Sequence, residues 1–313
     1  MRHCPITLKP IEEGVSYAPE GLRRLHPKLL DLQPLDLTRE EQLRQARLRA
    51  DKMSVQGVQP KLSAVLRVKE GRFEIVDRGG RFLLKPNPPP FEEVPANEAV
   101  TMTMAAAAGI EVPDHGLVPA VDGSWVYFVR RFDRVGRSGK VHVEDFAQLM
   151  AATRETKYDS SLERVAALVE KHCTFPAIEK PKLARRLLFC FLTGNEDMHL
   201  KNFSLQVAGG AVSLAPAYDL LNSTLVLEEA AEESALPLNG KKKKLTRKLW
   251  VDYYCRERLG LTGTIVGDLL EELGAAVPRW RELLARCFLS PEKRAAYSDL
   301  LDERTDRLGI VVS

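Results

Sequence analysis

The hydrophobic periodicity of this chain changes partway along, and that change limits the folds open to it. Between Ser54 and Phe132 the apolar residues alternate or cluster in short runs, LSAVLRV, RFEIVD, FLLKP, GLVPAV and SWVYFVRRF, with turn pairs such as Glu70-Gly71, Gly79-Gly80 and Asp122-Gly123 among them. That is the pattern of antiparallel strands joined by tight turns. One helix breaks the series: NEAVTMTMAAAAG is rich in Ala and Met and stops at Gly109, a glycine stop. After Val143 the apolar residues of VEDFAQLMAA, SLERVAALVEKH and PKLARRLLFCFL recur at three and four residue spacings, as in helices with one buried face. Two short strands, FSLQVA and AVSLA, flank Gly209-Gly210, and helices resume from Thr246 to the end. The expectation is an α+β chain, with a small, mixed, sheet-rich amino-terminal lobe over 1–135, a mostly helical carboxy-terminal lobe over 136–313 and a hinge near 131–143.

Residues 1–53 read as a short strand, ITLKPI, then a loop, then a charged helix near Thr38, which has Glu41 three residues on as in a capping box. The 313 residues suffice for two cores. A net charge of +3, from 46 basic and 43 acidic residues, gives no global field for nucleic acid, so direct nucleic-acid binding is not expected. The five cysteines are scattered at 4, 173, 190, 255 and 287, which fits reduced structural thiols. The six histidines show no HxxxH or HExxH spacing and so no zinc site. MRHCPITLKPIEEG carries Pro and two Glu where a signal peptide needs an apolar core, and no run of apolar residues is long enough to span a bilayer. A cytoplasmic protein without a membrane partner is expected.

The most crowded stretch is GNEDMHLKNFS, residues 194–204, placed where the apolar helix ending in LLFCFLT should simply turn. A plain turn needs Gly and Asn, but not Asp, His, Lys and a second Asn together. Phosphoryl transfer from ATP does need such a set, because its catalysis is positioning and charge neutralisation. Asp197 and Asn202 stand five apart, as in the Asp-x-x-x-x-Asn of a kinase catalytic loop. There the Asp faces the acceptor hydroxyl and the Asn oxygen binds magnesium. Beyond the next hairpin, APAYD supplies Asp219 as a second metal-binding acid. Earlier, SVQGVQPK precedes a strand and offers Gly57 for backbone approach to a phosphate, or only a structural turn. Lys85 ends the apolar strand FLLKP, as a phosphate-binding lysine or a solvated one. Glu98 follows thirteen residues on, as that lysine's partner or as a charge favoured at a helix start. His199 is either a nucleotide contact or a packed brace, Asn195 reads as a cap of the preceding helix, and Lys241–Lys244 reads first as a solvated loop.

Taken together, SVQGVQPK, FLLKP, ANE, FVRRFDR, VEDFAQL, GNEDMHLKNFSL and APAYDLLNST resemble the HipA family of serine/threonine kinases, toxins of bacterial toxin–antitoxin systems. The resemblance runs from about Met53 to Thr224. With only 53 residues before the loop, and YAPEGLRRL near the start, the chain is most similar to the short HipT-type kinases of three-gene systems. The resemblance implies a bilobal protein-kinase-like fold, with ATP and Mg2+ as cofactors. It implies Asp197, Lys85 and Glu98 as catalytic residues. It implies ATP binding by Gln56, Gly57, Val58, Gln59, Pro60 and Lys61 of the covering loop, by Lys85, and by Arg130, Arg131 and Phe132 of the segment linking the lobes. His199, Lys201, Asn202, Tyr218 and Asp219 complete that set, with Asn202 and Asp219 as the metal ligands. Ser54 matches a serine that such kinases phosphorylate on themselves, which silences them. HipT-type loops often carry two serines as Ser-x-Ser, whereas here Gln56 stands at the second place, so a single-site version is implied.

The same resemblance implies a substrate, an aminoacyl-tRNA synthetase phosphorylated at a serine, the tryptophanyl enzyme first and the glutamyl enzyme second. That substrate is bare or tRNA-bound, in which case Lys241–Lys244 would meet tRNA or an acidic surface. The implied partners are a small HipS-like protein and a DNA-binding HipB-like antitoxin. Two other readings stay open on the residues alone: a small-molecule phosphotransferase, which shares the Asp, Asn, Asp set, and a catalytically silent binding module in an antitoxin complex.

Overall fold

The computed structural model describes residues 2–49, 59–136, 139–153, 155–227 and 232–312. Ser54, Gln56, Gly57 and Val58 lie outside the described residues. The chain divides into two compact units, each built from separated segments: Met1–Thr103, Pro113–Phe132 and Leu283–Ser290 form the first, and Met104–Val112, Asp133–Glu282 and Pro291–Ser313 the second.

In the first unit two short strands, β1 (Arg2–His3) and β2 (Pro10–Ile11), precede helix α1 (Pro19–Leu25) and helix α2 (Arg39–Arg49). Of the expected strand ITLKPI only Pro10 and Ile11 are extended, as β2. Residues between the short strands close a turn instead, with Leu8 N donating to Cys4 O and Cys4 N to Lys9 O, both at 2.9 Å. Pro5 and Pro10, which lack donors, favour that outcome. The capping box at α2 does form: Glu41 Oε2 accepts from Thr38 N at 2.8 Å, and Glu41 N donates to Thr38 Oγ1 at 3.3 Å.

Strands β3 (Leu62–Arg67), β4 (Arg72–Ile75) and β5 (Phe82–Pro86), helix α3 (Val94–Ala107), and strands β6 (His115–Pro119) and β7 (Trp125–Arg130) follow. The five strands pair antiparallel in the order β4-β3-β5-β7-β6. Phe73, Phe82 and Phe128 meet on one face, with Phe73 at 5.1 Å from Phe82 and 5.2 Å from Phe128 between ring centres. Leu22, Leu25, Leu29 and Leu32 from the amino-terminal segment share that core. Helix α3 ends where expected, at Gly109 with φ +71°.

In the second unit β8 (Arg134–Val135) and β9 (Gly139–Lys140) form a short ribbon, followed by β10 (His142–Asp145) and a four-residue helix α4 (Phe146–Leu149). VEDFAQLMAA is therefore not one helix. Its first residues extend, Val143 pairing with Gln206 and Asp145 with Ser204, and Asp145 then turns the chain by capping α4, its Oδ1 accepting from Gln148 N at 2.8 Å. Helix α5 (Leu162–His172), capped by Ser161, and helix α6 (Pro176–Leu192) lead to the crowded loop. Beyond it β11 (Ser204–Ala208) and β12 (Ala211–Leu214) form a hairpin through Gly209 and Gly210, both at positive φ, and β10 completes a three-stranded sheet. A π-helix at Lys248–Arg258, helix α7 (Gly263–Arg286) and helix α8 (Pro291–Leu308) end the chain. A sheet-rich unit and a mostly helical one are what the change of period calls for. Among the described residues no helix is long and apolar enough to cross a membrane.

Candidate active site

Lys85 sits on β5 opposite Tyr127 of β7 and is buried. A buried ammonium needs a partner, and Glu98 provides it: Nζ and Oε1 are 2.6 Å apart, with side chains 4% and 1% exposed. The Nζ also lies 5.5 Å from the Tyr127 ring centre, a cation–π distance. Asn87, two residues past Lys85, sets where α3 begins. Its Oδ1 accepts from Val94 N at 2.9 Å and its Nδ2 donates to Phe91 O at 2.6 Å. The strand end that carries the lysine thereby fixes the helix that carries the glutamate. Lys85 is thus not the solvated strand-end lysine that the sequence left open.

At the other expected positions of this unit, Gln59, Pro60 and Lys61 lead half-exposed into β3. Arg130 spends its donors within the unit, Nε on Asp114 Oδ2 at 2.9 Å and Nη2 on the carbonyl of Leu25, and stacks 4.8 Å over Phe82. Arg131 N donates to Arg81 O, and Phe132 ends this segment.

In the second unit α6 stops at Thr193, whose Oγ1 donates to Phe189 O, and the chain leaves through Gly194 at φ +67°. A side chain there would run into Leu300 and the oxygens of Asn222 and Thr224, so only glycine fits. Gly194 O accepts from Thr224 N and from the hydroxyls of Ser223 and Thr224, each at 3.2 Å. Ser223 Oγ in turn accepts from Glu196 N at 2.7 Å. The Asn222–Thr224 segment therefore cradles the loop start, a role without a local signal in the sequence.

The loop then closes on itself. Asn195 caps α6 through its backbone, its N donating to Cys190 O at 2.8 Å past the left-handed Gly194, while its side-chain Oδ1 accepts from Asp197 N at 3.1 Å. Asp197 O accepts from His199 N at 2.8 Å and from Asn202 Nδ2 at 2.7 Å. Donating through Nδ2 leaves the Asn202 amide oxygen as the group for a cation. Tyr218 donates its hydroxyl to Lys201 O at 3.0 Å and receives one from Ser204, so it ties the segment before Asp219 to the loop. Burial pushes its pKa up. Asp219 adopts φ +55°, a left-handed conformation that Asp tolerates better than most residues and that marks functional corners.

His199 is buried, and burial lowers its pKa first of all; Lys157 lowers it further, while Asp197 and Asp219 pull the other way. The two acids, Asn202 and the histidine thus occupy one electrostatic neighbourhood. The ring is neutral, its Nε2 accepting from Lys157 Nζ at 2.7 Å. Asp197 receives a hydrogen bond on Oδ1 from the Tyr158 hydroxyl at 2.7 Å. Neither Lys157 nor Tyr158 belongs to any of the motifs that the sequence offers.

One carboxylate and one amide oxygen suit a hard cation that keeps several waters and takes phosphate oxygens besides. Among the described residues no three His, Cys, Asp or Glu side chains gather into a metal site, and Asn202 and Asp219 are the side chains that could offer oxygens to such a cation.

The fold, a sheet unit with a buried Lys–Glu pair and a helical unit with an Asp/Asn loop followed by a second Asp, is protein-kinase-like. The HipA-like C-terminal domain family matches residues 53–280, and the chain belongs to that family. It is 36% identical over 238 residues to "Putative kinase Y4dM" of Sinorhizobium fredii, covering 71% of this chain and 57% of that protein. It is 27% identical over 209 residues to the serine/threonine-protein kinase toxin HipA of Shewanella oneidensis, covering 60% of this chain and 47% of that one. The chain thus spans about half the length of these two relatives. A solved structure of Shewanella oneidensis HipA, in complex with HipB and operator DNA, superposes with a TM-score of 0.70 at 21% identity, over 96% of this chain and 80% of that one.

Proposed function

We propose that the chain is a toxin serine/threonine kinase of the short HipT type, acting in the cytoplasm. It would transfer the γ-phosphate of ATP to a serine of an aminoacyl-tRNA synthetase, the tryptophanyl enzyme first and the glutamyl enzyme second. The observation that carries this reading is the loop geometry: Asn202 and Asp197 are tied by one hydrogen bond, beside a left-handed Asp219 whose charge reaches the same histidine.

In this reading Asp197 accepts the proton of the substrate serine as its oxygen bonds to the γ-phosphorus. The bond from that phosphorus to the β–γ bridging oxygen breaks and ADP leaves. Lys85, held by Glu98, binds phosphate. Asn202 and Asp219 would hold magnesium, whose chemistry there would be to neutralise phosphate charge. Gln56–Lys61 cover the nucleotide, and Arg130, Arg131, Phe132, His199, Lys201 and Tyr218 complete its site. Ser54 is the residue the kinase phosphorylates on itself to switch off, and a small HipS-like protein and a HipB-like antitoxin are the expected partners. The family membership and the naming of relatives as kinases support this assignment.

Purified tryptophanyl-tRNA synthetase incubated with the protein, Mg2+ and ATP should gain 80 Da on a serine by mass spectrometry, about the mass of one phosphoryl group. A synthetase left unmodified alongside a glutamyl enzyme that is modified would move the substrate to second choice. Neither being modified would remove the synthetase assignment.

A further inference from the structure

We propose that Lys157 and Tyr158 form a strap that positions the catalytic loop, one residue on each of its two central titratable side chains. The proposal rests on the kinase reading of Asp197.

The loop fixes its own backbone but not its carboxylate. Its internal bonds run through Asp197 N, Asp197 O, His199 N and Asn202 Nδ2, and none reaches the Asp197 side chain. That side chain is 49% exposed, and a half-exposed carboxylate turns broadly about its last torsion unless something holds it. His199 Nε2, 3.9 Å from Oδ1, is beyond hydrogen-bond reach. The Tyr158 hydroxyl, at 2.7 Å, is within it.

A phenol suits that position. Burial first, and then Asp197 itself, push its pKa well up, so it stays a donor and does not compete for the substrate's proton. A hydrogen bond to an ionised acceptor is a strong one. It engages Oδ1 and leaves the second oxygen of the carboxylate to take a proton from an incoming hydroxyl.

Lys157 does the matching work on His199. An ammonium has only protons to offer, so its 2.7 Å contact with Nε2 makes that nitrogen the acceptor and puts the ring proton on Nδ1. That Nδ1 is buried and has no hydrogen-bond partner among the described residues. The backbone joins in, with Leu200 N donating to Lys157 O at 3.3 Å. The strap also packs on what it holds. The Tyr158 ring meets the His199 ring edge to face at 5.0 Å, and Lys157 Nζ lies 4.8 Å above the Tyr158 ring.

The test is hydrogen exchange of the amides of residues 195–203, read on the full chain for Tyr158→Phe, Lys157→Met and Lys157→Arg, together with ATP kinetics against the protein acceptor. The strap predicts faster exchange in Tyr158→Phe and Lys157→Met, and near wild-type protection in Lys157→Arg, which keeps a donor. It predicts a kcat for Tyr158→Phe reduced about 10-fold to 100-fold with the KM for ATP unchanged, the size expected for a small misplacement of a catalytic group. Unchanged exchange in an active enzyme overturns the positioning role alone. A raised kcat in Tyr158→Phe overturns it too, because the hydroxyl would then be a plug over the base. Altered exchange in a chain whose wild type transfers no phosphate overturns the kinase reading, and the positioning role with it.

Discussion

Single residues carry measurable consequences in both units. His115, on β6, is buried and neutral: Nδ1 donates to Pro113 O at 2.8 Å and Nε2 lies 3.2 Å from Thr103 Oγ1. Burial moves its pKa from 6.5 to about 4. Since the folded value lies below the unfolded one, the unfolded chain takes up the proton first as pH falls. The stability contribution is therefore complete above about pH 6.5 and is lost on the way down to about pH 4. Between pH 7.5 and 5 the loss from this residue is about 2 kcal/mol. Urea unfolding at both values checks it, and His115→Gln should flatten the pH dependence by that amount. A variant as pH-sensitive as the wild type would show that the ring is not held neutral. Lys85 and Glu98 obey a different rule. The pair is costly to bury and costlier to break, so its presence under the sheet points to a job for the ammonium rather than to stability.

At the scale of elements, the join between α6 and the loop is the most constrained. Gly194→Ala would need both a left-handed alanine and a displaced Leu300, so the variant should lose about 3 kcal/mol, read as a lower midpoint in thermal unfolding. An unshifted midpoint would mean that the turn relaxes freely. The same region separates what was legible in the sequence from what was not. The five strands, α3 with its glycine stop, the Thr38–Glu41 capping box and the Gly209–Gly210 hairpin all follow from local patterns, and Lys85 with Glu98 from a strand and a helix close in sequence. VEDFAQL misled because its period is helical while its partner strand lies about sixty residues away, a pairing no local pattern encodes. Asn195 reads as a cap by position and is one through its backbone, but the second task of its side-chain amide, in the loop after the helix, has no local signal. Tyr158 and Lys157 were invisible because they meet Asp197 and His199 across 39 and 42 residues. The Arg130 contacts with residues 24 and 25 lie about a hundred positions away, beyond any local reading as well.

Across the whole chain, family membership over residues 53–280 takes in segments of both units. Two consequences belong here. Asp219→Ala should weaken magnesium-dependent ATP binding about tenfold or more, by calorimetric titration of the full chain, since it removes the single carboxylate assigned to the metal; an unchanged titration would take Asp219 out of the metal site. The decisive experiment incubates the protein with radiolabelled ATP and a bacterial cytosolic lysate, beside an Asp197→Asn variant of equal thermal stability. A serine kinase should give a labelled band that yields phosphoserine with the wild type and falls by about 10²- to 10⁴-fold with the variant, whereas equal labelling by both proteins, or none by either, is incompatible with kinase action through Asp197.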